Sequence, residues 1–305
     1  RFEEEHGNSK YLPHILYLKA EALFQIAFRK PYPVYEKALE AYKQAVRRFP
    51  DSEFAKHARY KIGFIFGEMG LILEAKTLFE EALKKDPQDI YNPARKSSLA
   101  SFMLQEGKYD QAYRAFQEIL QGNPKDLRAR AGLFQIADHF YETGDFDRAI
   151  RIYEDGAKRW PNELNERPEI NFNMGQIYFS RNQYPRARTH FFNFINLDPE
   201  HPKAHRALNL IGDAYMIENK FLNALLVFDE SVQIQPDSPE SQYGLIRMAD
   251  IGIRDPRLEV RDIIFDVSAY YRPYQTYEAV SKNAKNVDTL AEVTLSRGIA
   301  FLKEQ

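Results

Sequence analysis

The chain has 305 residues, 42 basic and 44 acidic, a net charge of −2 and an isoelectric point near 6.5. That balance argues against a general nucleic-acid binder, which would carry a basic face, and no apolar run is long enough to span a membrane. There is no cysteine, so disulfides and thiol catalysis are excluded, while cytosol and periplasm both remain open.

The first predicted helix runs from about Pro13 to Phe28. Arg29-Lys30-Pro31-Tyr32-Pro33 follows, and its two prolines force an extended connection. The second helix places Ala38, Tyr42 and Val46 four apart and closes at Pro50. From there the same stripe returns along the chain: Ala75, Phe79, Leu83; Ala112, Phe116, Leu120; Ala149, Tyr153, Ala157; Ala187, Phe191, Ile195; and Ala224, Phe228, Val232. Residues four apart share a helix face, so each set is a buried stripe. A proline ends each unit, at Pro50, Pro87, Pro124, Pro161, Pro199, Pro236 and Pro273, at intervals of 37, 37, 37, 38, 37 and 37. A fixed period of this size means one structural unit copied along the chain. Strand-type alternation is absent, so the class is all-α.

Another helix precedes each stripe. Twelve residues before the alanine stands a small residue, Gly63, Ala100, Ala137, Gly175 or Gly212, and three later a large one, Phe66, Met103, Phe140, Tyr178 or Tyr215. Between the paired helices lie short turns opened by Gly70, Gly107, Gly144, Asn182 and Asn219. Gly and Asn suit the left-handed residue that closes a helix.

The run Gly63-Phe64-Ile65-Phe66, then Gly70, Ala75, Phe79, Ala82 and Pro87, resembles a tetratricopeptide repeat. Residues 175–199 and 212–236 resemble it equally, and the pattern recurs five times in register over at least 51–236. The resemblance implies antiparallel helix pairs stacked into a right-handed α-solenoid. The usual period is about 34 residues, and the longer unit here, with phrases such as Phe49-Pro50-Asp51-Ser52-Glu53-Phe54-Ala55, is similar to bacterial envelope members of the family. It points to the periplasm or outer membrane ahead of the cytoplasm. The expected organisation is one continuous solenoid over 1–305, with repeats at about 13–50, 51–87, 88–124, 125–161, 162–199, 200–236 and a degenerate one at 237–273.

The seventh repeat keeps Phe265 and Pro273 in register but puts Arg261 where the small alanine belongs. Residues 274–305 hold C-terminal helices, and Gly298-Ile299-Ala300-Phe301 again resembles the start of a repeat. The chain opens on Arg1 and stops soon after this motif, so a piece of a longer protein is expected. The competing reading makes the last helix a solvating cap.

No phosphate loop, zinc-protease motif or serine elbow is present. His201 and His205 stand four apart, but zinc needs further ligands, and the neighbours are only Asp198 and Glu200. Asp138, His139 and Glu142 share a helix, and Glu4, Glu5 and His6 cluster near the start. Acid–base catalysis needs a closed pocket, which a repeat surface rarely offers. No catalytic, cofactor-binding or metal-binding role is therefore assigned.

In the family, the first helix of each pair lines the concave face. The resemblance implies ligand-facing positions three before, one after and four after the small residue. The candidates for partner binding are Tyr60, Phe64, Leu104, Phe134, Asp138, Tyr141, Phe172, Gln176, Phe179, Asp213 and Met216; Ser97, Ser101 and Asn209 share these rows. Their many large apolar groups suggest an aromatic groove, or else side chains buried inside a tighter stack. Family members that clamp acidic chaperone C-termini use Lys and Asn here, whereas this chain has Tyr60 with Phe64 and Ser97 with Ser101, so that role is not expected. The leading reading is a non-catalytic scaffold for a partner peptide or helix in a bacterial envelope complex. A regulatory or substrate-binding arm of a larger enzyme and a self-assembling array are the alternatives.

Overall fold

The computed structural model describes residues 9–260 and 268–304, which form seventeen α-helices and no strand. They divide into two compact units, Arg1–His139 and Phe140–Gln305. Arg261, Phe265, Glu4, Glu5 and His6 lie outside the described residues.

The first unit contains α1 (Leu12–Phe28), α2 (Glu36–Arg48), α3 (Ala55–Glu68), α4 (Ile72–Lys85), α5 (Asn92–Gln105), α6 (Tyr109–Gly122) and most of α7 (Leu127–Glu142). The second contains α8 (Phe146–Arg159), α9 (Pro161–Glu166), α10 (Pro168–Ser180), α11 (Tyr184–Leu197), α12 (Ala204–Ile217), α13 (Phe221–Ile234), α14 (Pro239–Arg254), α15 (Ser268–Tyr271), α16 (Pro273–Asn283) and α17 (Val287–Glu304). The second helices of successive pairs begin at residues 36, 72, 109, 146, 184 and 221.

The turns inside the pairs follow from backbone sterics. Gly70, Gly107 and Gly144 have φ of +76°, +73° and +81°, and Asn182 and Asn219 take +59° and +57°. Gly, and at lower frequency Asn and Asp, enters this region without a large Cβ penalty.

The alanine–aromatic stripe forms the core. Ala75, Phe79, Ala112, Phe116, Ala149, Tyr153, Ala187, Phe191, Ala224 and Phe228 are each at most 1% exposed. Burying each ring stabilises by about 1.5–3 kcal/mol. The third stripe position is looser: Leu120 is buried, but Leu83, Ala157, Ile195 and Val232 are half-buried. The small residue on the first helix makes room for the ring. A Cβ built on Gly63, Gly175 or Gly212 would lie 2.3 Å from Phe79, 2.6 Å from Phe191 or 2.5 Å from Phe228. Phe116 leans the other way, toward Gly132 of the next helix, where a Cβ would come within 2.3 Å.

One turn of the first unit is held by charge. Arg95 and Asp89, both nearly fully buried, pair at 3.0 Å. Asn92 Oδ1 accepts from Arg95 at 2.8 Å, while Asn92 Nδ2 donates to the Asp86 carbonyl at 2.8 Å.

Further departures from the regular pattern lie in the second unit. Pro161 ends α8 through its effect on Trp160, yet also starts the short helix α9, since proline fits the first helical position. Pro273 likewise opens α16. Beyond α14, Gln242 bonds the Asn283 carbonyl and Tyr277 bonds Asp250, so α16 runs antiparallel to α14. Arg247 pairs with Glu292 and Ser296 lies 3.2 Å from Asp250, so α17 runs parallel to it.

Candidate ligand-facing surface

In the first unit, Phe64 on α3 and Ser101 and Leu104 on α5 border a hollow of about 260 Å³, with Arg128 of α7 at its edge. Small residues open it: Gly67, Ser98, Ala131 and Gly132 line the space between the helices. The Arg128 guanidinium lies 5.3 Å from the Phe64 ring centre and its Nη1 donates to Ser98 Oγ at 2.5 Å. This combines an apolar wall with a fixed cation. Tyr60 is half-buried beside it, stacked on Phe79 at 5.9 Å and Tyr91 at 5.7 Å. Two larger hollows of this unit, about 680 and 590 Å³, lie away from these rows, between paired helices. Residues 37 apart line them, Ile62 and Leu99, Ala82 and Ile119.

In the second unit, Asn209 and Asp213 of α12, Tyr243 of α14 and Glu292 of α17 line a hollow of about 490 Å³. Arg206, Glu240 and Asp288 also border it. Tyr243 donates to Asp213 Oδ2 at 2.7 Å, and Arg247 Nε lies 3.5 Å from Asp213 Oδ1. Arg247 also pairs with Asp250 at 2.8 Å and with Glu292. One guanidinium thus serves three carboxylates. Burial pushes the Asp213 carboxyl up to about 6, against the opposing pull of Arg247 and the Tyr243 hydroxyl. Burial also raises the Tyr243 hydroxyl, with the Asp213 charge adding to it.

The other candidates divide by exposure. Tyr141, Gln176, Phe179 and Asp138 are half-buried. The Tyr141 hydroxyl donates to Gln176 Oε1, and Phe179 meets Tyr184 edge-on at 5.4 Å. Phe134, Phe172 and Met216 are enclosed, at 1%, 2% and 5% exposure. Phe172 is packed between Phe191 at 5.8 Å and Phe194 at 5.2 Å. For these three side chains the burial alternative holds. Phe172, three before Gly175, faces the paired second helix, which carries both of these rings.

Arg128, Tyr243, Arg247 and Glu292 were not singled out from sequence. Adding 37 to Gly212 points to Ala249, and so to Asp250 one residue later, which pairs with Arg247. Glu292 follows a break in register, and only the folded chain brings it to Arg247.

The His201 ring packs edge-on against Phe194 at 5.0 Å, while His205 is buried. His139 stacks on Tyr109 with ring centres 3.5 Å apart. Among the described residues no three His, Cys, Asp or Glu side chains are grouped to hold a metal ion. No described helix is long and apolar enough to cross a membrane.

Family models described as tetratricopeptide repeat match residues 57–89, 103–164 and 172–239, together more than half of the chain. The chain belongs to the tetratricopeptide repeat family, and its fold is an α-solenoid of such repeats. It is similar to the C-terminal part of a TPR repeat-containing protein from Cytophaga hutchinsonii, with TM-score 0.54, 14% identity, 90% of this chain and 98% of that one covered. A tetratricopeptide repeat protein from Parabacteroides merdae matches at TM-score 0.42 and 14% identity over 92% of this chain and 99% of that one. YrrB, described as a TPR protein with an unusual peptide-binding site, matches at TM-score 0.46 and 15% identity over 67% and 96%. At these identities the Cytophaga likeness is one of fold, and the two lower scores carry no functional argument. No curated protein matches the chain by sequence. None of the matching families is an enzyme family.

Proposed function

We propose that this chain is a non-catalytic protein-interaction scaffold that holds a partner peptide or helix on the ligand-facing rows of its first helices. The observation that carries this reading is where the hollows lie. Phe64, Ser101 and Leu104 border one, and Asn209 and Asp213 border another, all in rows singled out by their spacing from the small residue. A side chain of a partner finds apolar surface beside a cation in the first, and carboxylates beside Arg206 in the second. The long repeat favours a place in a bacterial envelope complex.

Position-specific photo-crosslinking tests the proposal. A photoreactive residue at Leu104 or Asp213 should capture one defined partner from an extract of the source cell. The same residue at Leu73, 75% exposed on the second helix α4, should not. Capture from Leu73 alone would place the interaction on the opposite helices and sink the reading.

A further inference from the structure

Arg128 stands in the first turn of α7, nine residues before Ala137. Tyr91 and Lys203 hold the same place before Ala100 and Gly212. Each of these two leans on the ring three before the small residue of the preceding repeat. Tyr91 stacks on Tyr60 at 5.7 Å, and Lys203 Nζ lies 5.2 Å from the centre of the Phe172 ring. Arg128 finds no ring there. The corresponding residue of α5 is Ser97, and Ser101 follows where α3 carries Phe64. The guanidinium reaches past these serines to the Phe64 ring, and the hollow bordered by Phe64, Phe102, Leu104 and Arg128 is the space the missing rings leave.

Arg128 is half-buried, and its Nη1 donates to a neutral acceptor, Ser98 Oγ. Among the described residues no carboxylate pairs with it. Other enclosed arginines have such a partner: Arg95 has Asp89, Arg188 has Glu218 and Arg247 has Glu292. Asp126, two residues before Arg128, is committed elsewhere. Its Oδ1 accepts from the Ala129 amide at 2.9 Å and from Ser97 Oγ at 3.1 Å. Glu68 borders the hollow from the exposed end of α3, and no ion pair joins it to Arg128. A guanidinium offers five donors in a fork that matches a carboxylate. Half-buried beside aromatic surface, it attracts an anion more strongly than it would in open water.

We propose that this hollow receives an acidic side chain, Asp or Glu, from an internal position of the partner segment, with an apolar neighbour of that residue against Phe64, Phe102 and Leu104. The proposal rests on the scaffold reading above and names what the first-unit hollow selects. Charge complementarity specifies the occupant. The walls are largely apolar, Arg128 is the one cation among the lining residues, and it lacks an anion. Glu68 is exposed to water, which weakens its repulsion of an incoming carboxylate. The volume of about 260 Å³ falls below the range of small-molecule pockets, about 300–1,000 Å³, and suits a side chain.

The probe is a library of short random peptides displayed on phage and selected on the 305-residue chain. The peptides are fused at their C-termini, so that no free terminal carboxylate is offered. Enrichment of Asp or Glu beside Leu, Ile, Phe or Met is expected. A selected peptide, synthesised with an amidated C-terminus, should bind the Arg128→Gln variant about tenfold or more weakly. Ser101→Phe, which keeps the arginine and fills the hollow, should have the same effect. Neither change touches the buried alanine–aromatic stripe, and circular dichroism checks that both variants stay folded. Arg128→Glu should regain binding when the acid of the peptide is replaced by Lys, a rescue that a loss of fold cannot produce. Selection that yields no peptide overturns the proposal, and crosslinking at Asp213 then decides the scaffold reading separately. Selected peptides without an acid overturn it, as do acidic peptides that bind Arg128→Gln at full strength. If those peptides instead lose binding to Asp213→Asn, the scaffold reading stands on the second-unit hollow and this proposal falls.

Discussion

Gly175 lies so close beneath Phe191 that an alanine methyl there would sit 2.6 Å from the ring. Gly175→Ala should therefore overpack the pair and lower stability by roughly 1–3 kcal/mol. Ala149→Leu should cost a similar amount, and Phe116→Ala about 3–5 kcal/mol through the cavity it leaves. Urea midpoints test all three, and unchanged values would mean that the buried stripe is misassigned. Asp89→Ala removes the partner of a fully buried arginine, at a cost of about 3–5 kcal/mol; the double change with Arg95→Met should recover much of it. Asp213 makes the pH prediction. Its folded carboxyl titrates near 6, above its ordinary value of 3.8, so the folded state holds a proton that the unfolded state has lost. Its contribution is most favourable below pH 4 and fades as pH rises through 6. Asp213→Asn keeps an acceptor for Tyr243 and removes the titration. The variant should gain on the native protein by on the order of 1–3 kcal/mol between pH 4 and 7, and a constant difference across that range would reject the assignment.

At the scale of the helix, the ends are set by the residue that turns left-handed. Gly107→Val would force a β-branched side chain to φ of +73°, at a cost of roughly 1–2 kcal/mol. Asn182→Gly at +59° should be neutral or slightly stabilising. Thermal melts of the pair give the comparison, and equal losses for both would remove backbone conformation as the cause. These turns were legible in the sequence because Gly and Asn have a specific backbone reason to stand there. The first and second helices were legible for a similar reason, since four-residue spacing is a geometric signature. Helix α9 was not. Pro161 reads equally as a stop for α8 and as a first helical residue, and in the fold it is both, with Trp160 capping the two helices. The exposure of the ligand-facing rings was equally hidden. Tyr60 and Phe172 both stand three before the small residue, yet Tyr60 is half-buried while Phe172 is enclosed between two rings of its paired helix.

Across the whole chain, each unit keeps its own apolar clusters, with Leu16, Ala20 and Tyr42 in the first and Phe228, Met248 and Tyr270 in the second. Stability in repeat arrays is approximately a sum over repeats and their neighbours. Phe228→Ala should therefore speed amide exchange across residues 204–254 and leave residues 36–85 unchanged. Uniform loss of protection in hydrogen exchange would mean a single cooperative body instead. Much of the second-unit site escaped a sequence reading because Asp213, Arg247 and Glu292 belong to three helices, and the last of these follows a break in the period. The rings of Phe79 and Phe116 carry a further consequence. Phe79 uses a gap in its own repeat, at Gly63, while Phe116 uses one in the repeat that follows, at Gly132. The repeats are therefore not freely interchangeable cassettes. A duplication or recombination that cuts between Phe116 and Gly132 separates a ring from its gap, while one that carries residues 63–79 together moves both. Cut points that respect these ring–glycine partnerships are the ones at which the array can be lengthened, shortened or shuffled and still close its core.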